Sequence, residues 1–119
     1  MQLASEPVPN VSEEAVIRVV SRDFSDADVS KILNILNGLV VVGTERTMAR
    51  VKLAVLKLSN GDMDALKSFI KEANDDFRDV IGTAEYPNYP WYGSQLSERE
   101  QQRIINEDSK QYEKWLYKM

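Results

Sequence analysis

From Met63 to Val80 the apolar residues Met63, Leu66, Ile70, Ala73, Phe77 and Val80 recur at spacings of three and four. At about 100° per residue these side chains share one face of an α-helix, whereas a strand needs strict alternation. Residues 44–59, just upstream, are apolar round most of a helical circumference through Met48, Val51, Leu53, Ala54, Val55, Leu56 and Leu58. A helix of that kind is buried on nearly all sides and forms the centre of a bundle. Between the two stretches Asn60-Gly61 ends one helix and Asp62 caps the next, which predicts an antiparallel helical hairpin. Its arms are charge-complementary: residues 44–61 hold four basic side chains and one acidic, residues 62–81 three basic and six acidic. Everything else in the chain has to pack round this hairpin.

The remaining elements read as shorter helices with their own start signals. Residues 1–11, with Pro7 and Pro9, form an extended leader, after which Ser12 caps a helix with Glu13 and Glu14 in its first turn, running to about Arg22. Val11 and Val16 are placed for a hydrophobic staple. The β-branched run at residues 15–20 leaves a strand reading open there. Ser25, with Asp28 three residues on, marks a second helix through Val29, Ile32, Leu33 and Leu36, with Gly38 as its stop. Residues 82–96 form an irregular linker punctuated by Pro87, Pro90 and Gly93. Ser97 with Glu100 is a further capping box, opening a last helix to the C-terminus. The fold class is all-α, a single-domain bundle of four or five helices.

The stretch Gly38-Leu39-Val40-Val41-Val42-Gly43-Thr44-Glu45 invites a phosphate-loop reading. That motif needs Lys and then Ser or Thr after its second glycine, and here those places hold Thr44 and Glu45. The negative Glu45 repels a phosphate, so the stretch reads as an apolar connection into a helix capped by Thr44. Residues 39–42 stay open between strand and helix.

Several function classes are closed by composition. The 119 residues contain neither cysteine nor histidine, which removes thiol nucleophiles, Ser-His triads, imidazole acid–base chemistry and Cys or His metal sites. A net charge of −4 and a pI near 4.9 argue against nucleic acid as a partner. No apolar run approaches the roughly 18 to 20 residues that span a bilayer. The first residues lack the basic and apolar regions of a signal peptide, which reads as a cytoplasmic protein.

Three groups of residues are candidate functional positions. Glu72, Asp75, Asp76 and Asp79 cluster on one side of the second hairpin helix, with Lys67, Lys71 and Arg78 as a basic edge. Carboxylates one turn apart suit a magnesium site, with Glu13, Glu14 or Glu85 as facing acids and Arg78 as a phosphate clamp. They equally suit a solvated face with local pairs such as Lys71 to Asp75. The second group is Tyr86, Tyr89, Trp91 and Tyr92, aromatics of the linker that serve either as a recognition surface or as an arm tucked over the core. The third is Asp108, set within the apolar face of Ile104, Ile105, Tyr112, Trp115 and Leu116. A carboxylate there must be paired or hydrogen-bonded, and Arg46 or Arg50 are expected partners.

The runs Arg50-Val-Lys-Leu-Ala-Val-Leu-Lys-Leu-Ser-Asn-Gly-Asp62, Asp76-Phe-Arg-Asp-Val80 and Ala84-Glu-Tyr-Pro87 resemble an uncharacterised family of small bacterial all-helical proteins over about residues 14–90. The resemblance implies a bacterial origin and helices, and carries no catalytic residue with it. The expected function is a non-catalytic interaction module, an adaptor, regulator or immunity-type partner, binding another protein or a second copy. The alternative is a magnesium-dependent nucleotide or phosphate hydrolase built on the carboxylate cluster.

Overall fold

The computed structural model describes residues 11–40, 45–88 and 97–118, with residues 45 and 46 in backbone only. Within them the chain forms five α-helices and no strand: α1 Glu13–Asp23, α2 Val29–Leu36, α3 Glu45–Ser59, α4 Met63–Glu85 and α5 Glu98–Leu116. The all-α bundle expected from the periodicity is present. Residues 1–10 of the leader, residues 41–44 with the Thr44 cap, and residues 89–96 of the linker lie outside the described residues, so the expectations placed there lie outside them too.

The open reading at residues 15–20 resolves as helix. Ala15, Val16, Val19 and Val20 are all buried on one side of α1, and packing against α3 overrides their β preference. Ser12 accepts the Ala15 amide at 3.3 Å, and Val11 and Val16 are both buried where the staple places them. The expectation at Ser25 needs correcting. One 3-10 turn, Asp26–Asp28, precedes α2, and the Ser25 hydroxyl donates to Asp28 Oδ2 at 3.0 Å instead of capping a backbone amide. Gly38 follows the end of α2 as expected, but its backbone is not left-handed. The helix instead closes with tight bonds from the Gly38 and Leu39 amides to Ile35 and Leu36.

α3 is the central helix. Val51, Leu53, Ala54, Val55 and Leu56 are all fully buried, a run that no one-sided helix can show. It turns into α4 through Asn60 and Gly61, at φ 51° and 81°, where Gly61 lies against the end of α1: a Cβ added there would sit 3.2 Å from the Asp23 carbonyl oxygen. Asp62 then caps α4 through the amides of Asp64 and Ala65.

α4 is not the single straight arm that the apolar stripe suggests. Asp76 has φ −154° and ψ 96°, an extended residue in the middle of the helix. It divides α4 into a limb of residues 63–75 and a limb of residues 77–85. At about 1.5 Å per residue a straight helix of 23 residues would carry Glu85 about 34 Å from the hairpin turn. Arg50, nine residues before Ser59, stands only about 14 Å from that turn, yet the two side chains are in direct contact. The second limb therefore turns out of line with the first to reach α3. Its buried face turns as well: Leu66, Ile70 and Ala73 bury the first limb, whereas Val80, Ile81, Ala84 and Glu85 bury the second, and Phe77 is left half-buried. The helix also runs through residues 82–85, which the sequence assigns to the linker.

Candidate functional site

Ser59, Glu85 and Asp108 are the buried polar or charged side chains among the described residues, and all three have partners inside the protein. Glu85 accepts from Arg50 twice, Nε to Oε2 at 2.7 Å and Nη2 to Oε1 at 2.6 Å. This fork-to-fork geometry is the strong form of the Arg–carboxylate pair. It also corrects two expectations, since Arg50 serves Glu85 and not Asp108, and Glu85 is not free to face a metal. Arg46 as a partner of Asp108 lies outside the described side chains.

Asp108 is fully buried, as the requirement for a partner anticipates. Its donors are the backbone amide of Asn88, at 3.2 and 3.3 Å, and the Asn88 side-chain amide, at 2.8 Å. Asn88 follows α4, so Asp108 ties α5 to the end of the second limb. Gln111, one turn on, reaches the carbonyls of Ala84 and Glu85. Half-buried Lys57 lies near enough to feel the Asp108 charge. Desolvation pulls the Lys57 ammonium below its ordinary pKa of 10.5, and the attraction of Asp108 opposes that pull. The sequence offers Asp108 as a suspicious position but gives no sign that Asn88 and Lys57 would meet it.

At its far end α5 is held from α1. Arg22 donates to the carbonyl oxygens of Trp115 at 2.6 Å, Lys118 at 2.9 Å and Leu116 at 3.4 Å, and its guanidinium lies 5.2 Å from the Trp115 ring centre. Asp23 grips the other side of the same group through two bonds. A cation on the last carbonyls offsets the negative end of the helix. These interior and helix-end contacts are architectural.

The carboxylate cluster has a different setting. Glu72 and Asp75 on the first limb, Asp76 at the bend and Asp79 on the second limb line one groove of about 310 Å³. Leu58 of α3 with Phe69, Val80 and Thr83 supplies the rest of its wall. Glu72, Asp75 and Asp79 are exposed. Asp76 accepts the Arg78 amide at 3.1 Å, capping the second limb, and meets Arg78 Nε at 3.3 Å on the surface. The four acids thus stand in the angle between two limbs, around a patch of apolar side chains. The apolar wall residues are what reasoning from the sequence missed: Phe69, Val80 and Thr83 fall on the side of α4 that carries Glu72, Asp76 and Asp79, and Leu58 of α3 closes the wall against them.

None of the acids proposed to face this cluster lines the groove. Glu13 pairs with Lys52 at 3.0 Å, and Glu85 with Arg50. Among the described residues no three Asp or Glu come together as a group able to hold a metal ion. Of the linker aromatics, Tyr86 is 4% exposed and packs inward, so it offers no recognition surface; Tyr89, Trp91 and Tyr92 lie outside the described residues. No helix among the described residues is long and apolar enough to cross a membrane.

Comparison of the chain with protein-family models, with curated proteins and with solved structures finds no match.

Proposed function

We propose that this protein is a non-catalytic interaction module, and that its docking face is the groove at the bend of α4. The observation that carries this reading is the pairing of two chemistries in one place. Leu58, Phe69 and Val80 provide an apolar wall, and Glu72, Asp75, Asp76 and Asp79 surround it with carboxylates. A groove of about 310 Å³ lies at the small end of the range for ligand pockets, about 300–1,000 Å³, so it suits one or two side chains of a partner. The fitting partner is a protein segment that presents an apolar side chain flanked by Lys or Arg. Charge complementarity of this kind speeds encounter and fixes register, while the apolar contact supplies affinity.

The distribution of charge favours binding over phosphate chemistry. No basic side chain lines the groove, so a phosphate would meet carboxylates alone. The buried carboxylates among the described residues, Glu85 and Asp108, are consumed by contacts that hold helices together.

The test is a fluorescence-anisotropy titration with a short labelled peptide of alternating Leu and Lys, and with its Leu and Glu counterpart as control. Saturable binding of the basic peptide, weakened by salt and lost in Asp75→Lys and Asp79→Lys, is the expected result. Equal binding by the charge-reversed proteins would remove the groove from consideration.

A further inference from the structure

The bend in α4 has a second consequence, independent of what the groove binds. One residue, Asp76, departs from helical backbone between two regular limbs. Asp75 and Arg78 beside it are exposed, and of its immediate neighbours only half-buried Phe77 packs against the core, so straightening here has to re-seat that one ring. A short element-breaking position that absorbs a large φ/ψ change is the geometry of a hinge.

The forces that keep the hinge bent act at a distance from it. Locally there is the cap, Asp76 Oδ1 to the Arg78 amide at 3.1 Å. Beyond it the second limb buries Val80, Ile81 and Ala84, and Glu85 grips Arg50. The end of that limb is tied through Asn88 to Asp108 of α5, and α5 is tied through Arg22 to α1. The second limb with Asn88, and α5 joined to it through Asp108, therefore behave as an arm packed on α1 and α3 across one joint. The contacts that cross the joint, the buried apolar face of the limb, Glu85 on Arg50 and Arg22 on the end of α5, are as well made with the arm of another molecule.

We propose that α4 is a two-state element: bent at Asp76 in the monomer, and straight in a reciprocal dimer in which the arm of each copy packs on α1 and α3 of the other. Glu85 of one copy then pairs with Arg50 of its neighbour, and the same exchange carries Asn88, Asp108 and Gln111. Straightening replaces an extended residue by continuous helix and loses the Asp76 cap, while the remaining contacts are conserved. The choice between the forms rests on the hinge and on concentration. A tethered arm sees its own site at an effective concentration of about millimolar, which favours the closed monomer in dilute solution.

Two experiments test this together. Asp76→Ala removes the cap and installs the strongest helix former, whereas Asp76→Asn keeps a capping side chain. Light scattering at a concentration where the parent protein has its monomer mass of 13.6 kDa should give twice that mass for Asp76→Ala and the monomer mass for Asp76→Asn. The second experiment uses Arg50→Glu and Glu85→Arg as separate proteins, each with two like charges facing one another. In an exchanged heterodimer both sites regain one Arg and one Glu. Unfolding and refolding the two together should therefore yield a dimer that melts higher than either protein alone. An Asp76→Ala variant that stays at the monomer mass overturns the proposal. So does a refolded mixture without the heterodimer, even if Asp76→Ala dimerises, because its contact would then be some other surface.

Discussion

Arg50 and Glu85, 35 positions apart in the chain, face each other across the α3–α4 packing with two hydrogen bonds of 2.7 and 2.6 Å. This contact reports the bend in α4 more directly than any other pair, because a straight helix would hold the two side chains apart. Glu85 is 1% exposed and the Arg50 side chain 14%, so little water is available to replace a lost partner.

Glu85→Ala should therefore cost about 3 kcal/mol of unfolding free energy, the scale for leaving one member of a buried pair alone. Replacing both residues together, as Arg50→Met with Glu85→Leu, should cost much less, since neither charge is then stranded. Urea unfolding of the two single variants and the double variant measures this directly. A double variant as unstable as the sum of the singles would mean that the pair is not a unit.

Asp108 is the anchor between α5 and the end of α4. Asp108→Ala leaves the Asn88 amides without their acceptor and should cost about 2 kcal/mol, whereas Asp108→Asn, which retains one acceptor oxygen, should cost less. The loss should appear in hydrogen exchange as faster opening of α5.

Lys57 makes stability depend on alkaline pH. Burial lowers its pKa below 10.5, so the folded protein releases the Lys57 proton before the unfolded chain does. Below the folded pKa the ammonium is charged in both states and the burial cost is present in full. As pH climbs from the folded pKa towards 10.5 the unfolded state holds more protons, and stability rises. The unfolding free energy of the parent protein relative to Lys57→Met should therefore increase with pH in that window. Parallel curves for the two proteins would show that Lys57 is not desolvated.

Arg22→Ala should free the last turn of α5, because three carbonyls lose a cationic donor and Trp115 loses the guanidinium beside it. A cost of about 2 kcal/mol follows from the loss of a charged donor. Arg22→Lys should recover only part of it, since an ammonium cannot bind Asp23 as a fork while reaching the helix end. Thermal melts with exchange rates at residues 112–118 separate the two.

Asp75→Lys and Asp79→Lys should leave the melting curve close to that of the parent protein, since both positions are exposed. The same variants should lose binding of the basic peptide. Stability and binding are thus separable at the groove, and a variant that loses both would point to a structural role for the carboxylate.

Much of the fold was legible because helices announce themselves locally. Ser12, Asp62 and Ser97 cap the helices they precede, and each accepts a backbone amide of the first turn. The apolar circumference of residues 51–56 marked α3 as central before any neighbour was placed. The bend left a weaker trace: Asn74-Asp75-Asp76 is a run of residues that favour caps over helix interiors, set within a stripe that otherwise reads as unbroken. The stripe hid it, since spacings of three and four continue from Ala73 through Phe77 to Val80 whether or not the axis turns.

The helices, most of their starts, the hairpin turn and the need of Asp108 for a partner are legible along the chain. These depend on a residue and its neighbours within a turn or two, where hydrogen bonding and solvent exclusion act at short range. Which charges meet is set by how the helices pack. Arg50 took Glu85 and Asp108 took Asn88 because the axis of α4 turns at Asp76, and that turn carries distant residues across the molecule. Whether a break in a helix straightens or folds back depends on the apolar surface waiting on the other side. Here α3, apolar round most of its circumference, had surface left for the second limb to bury.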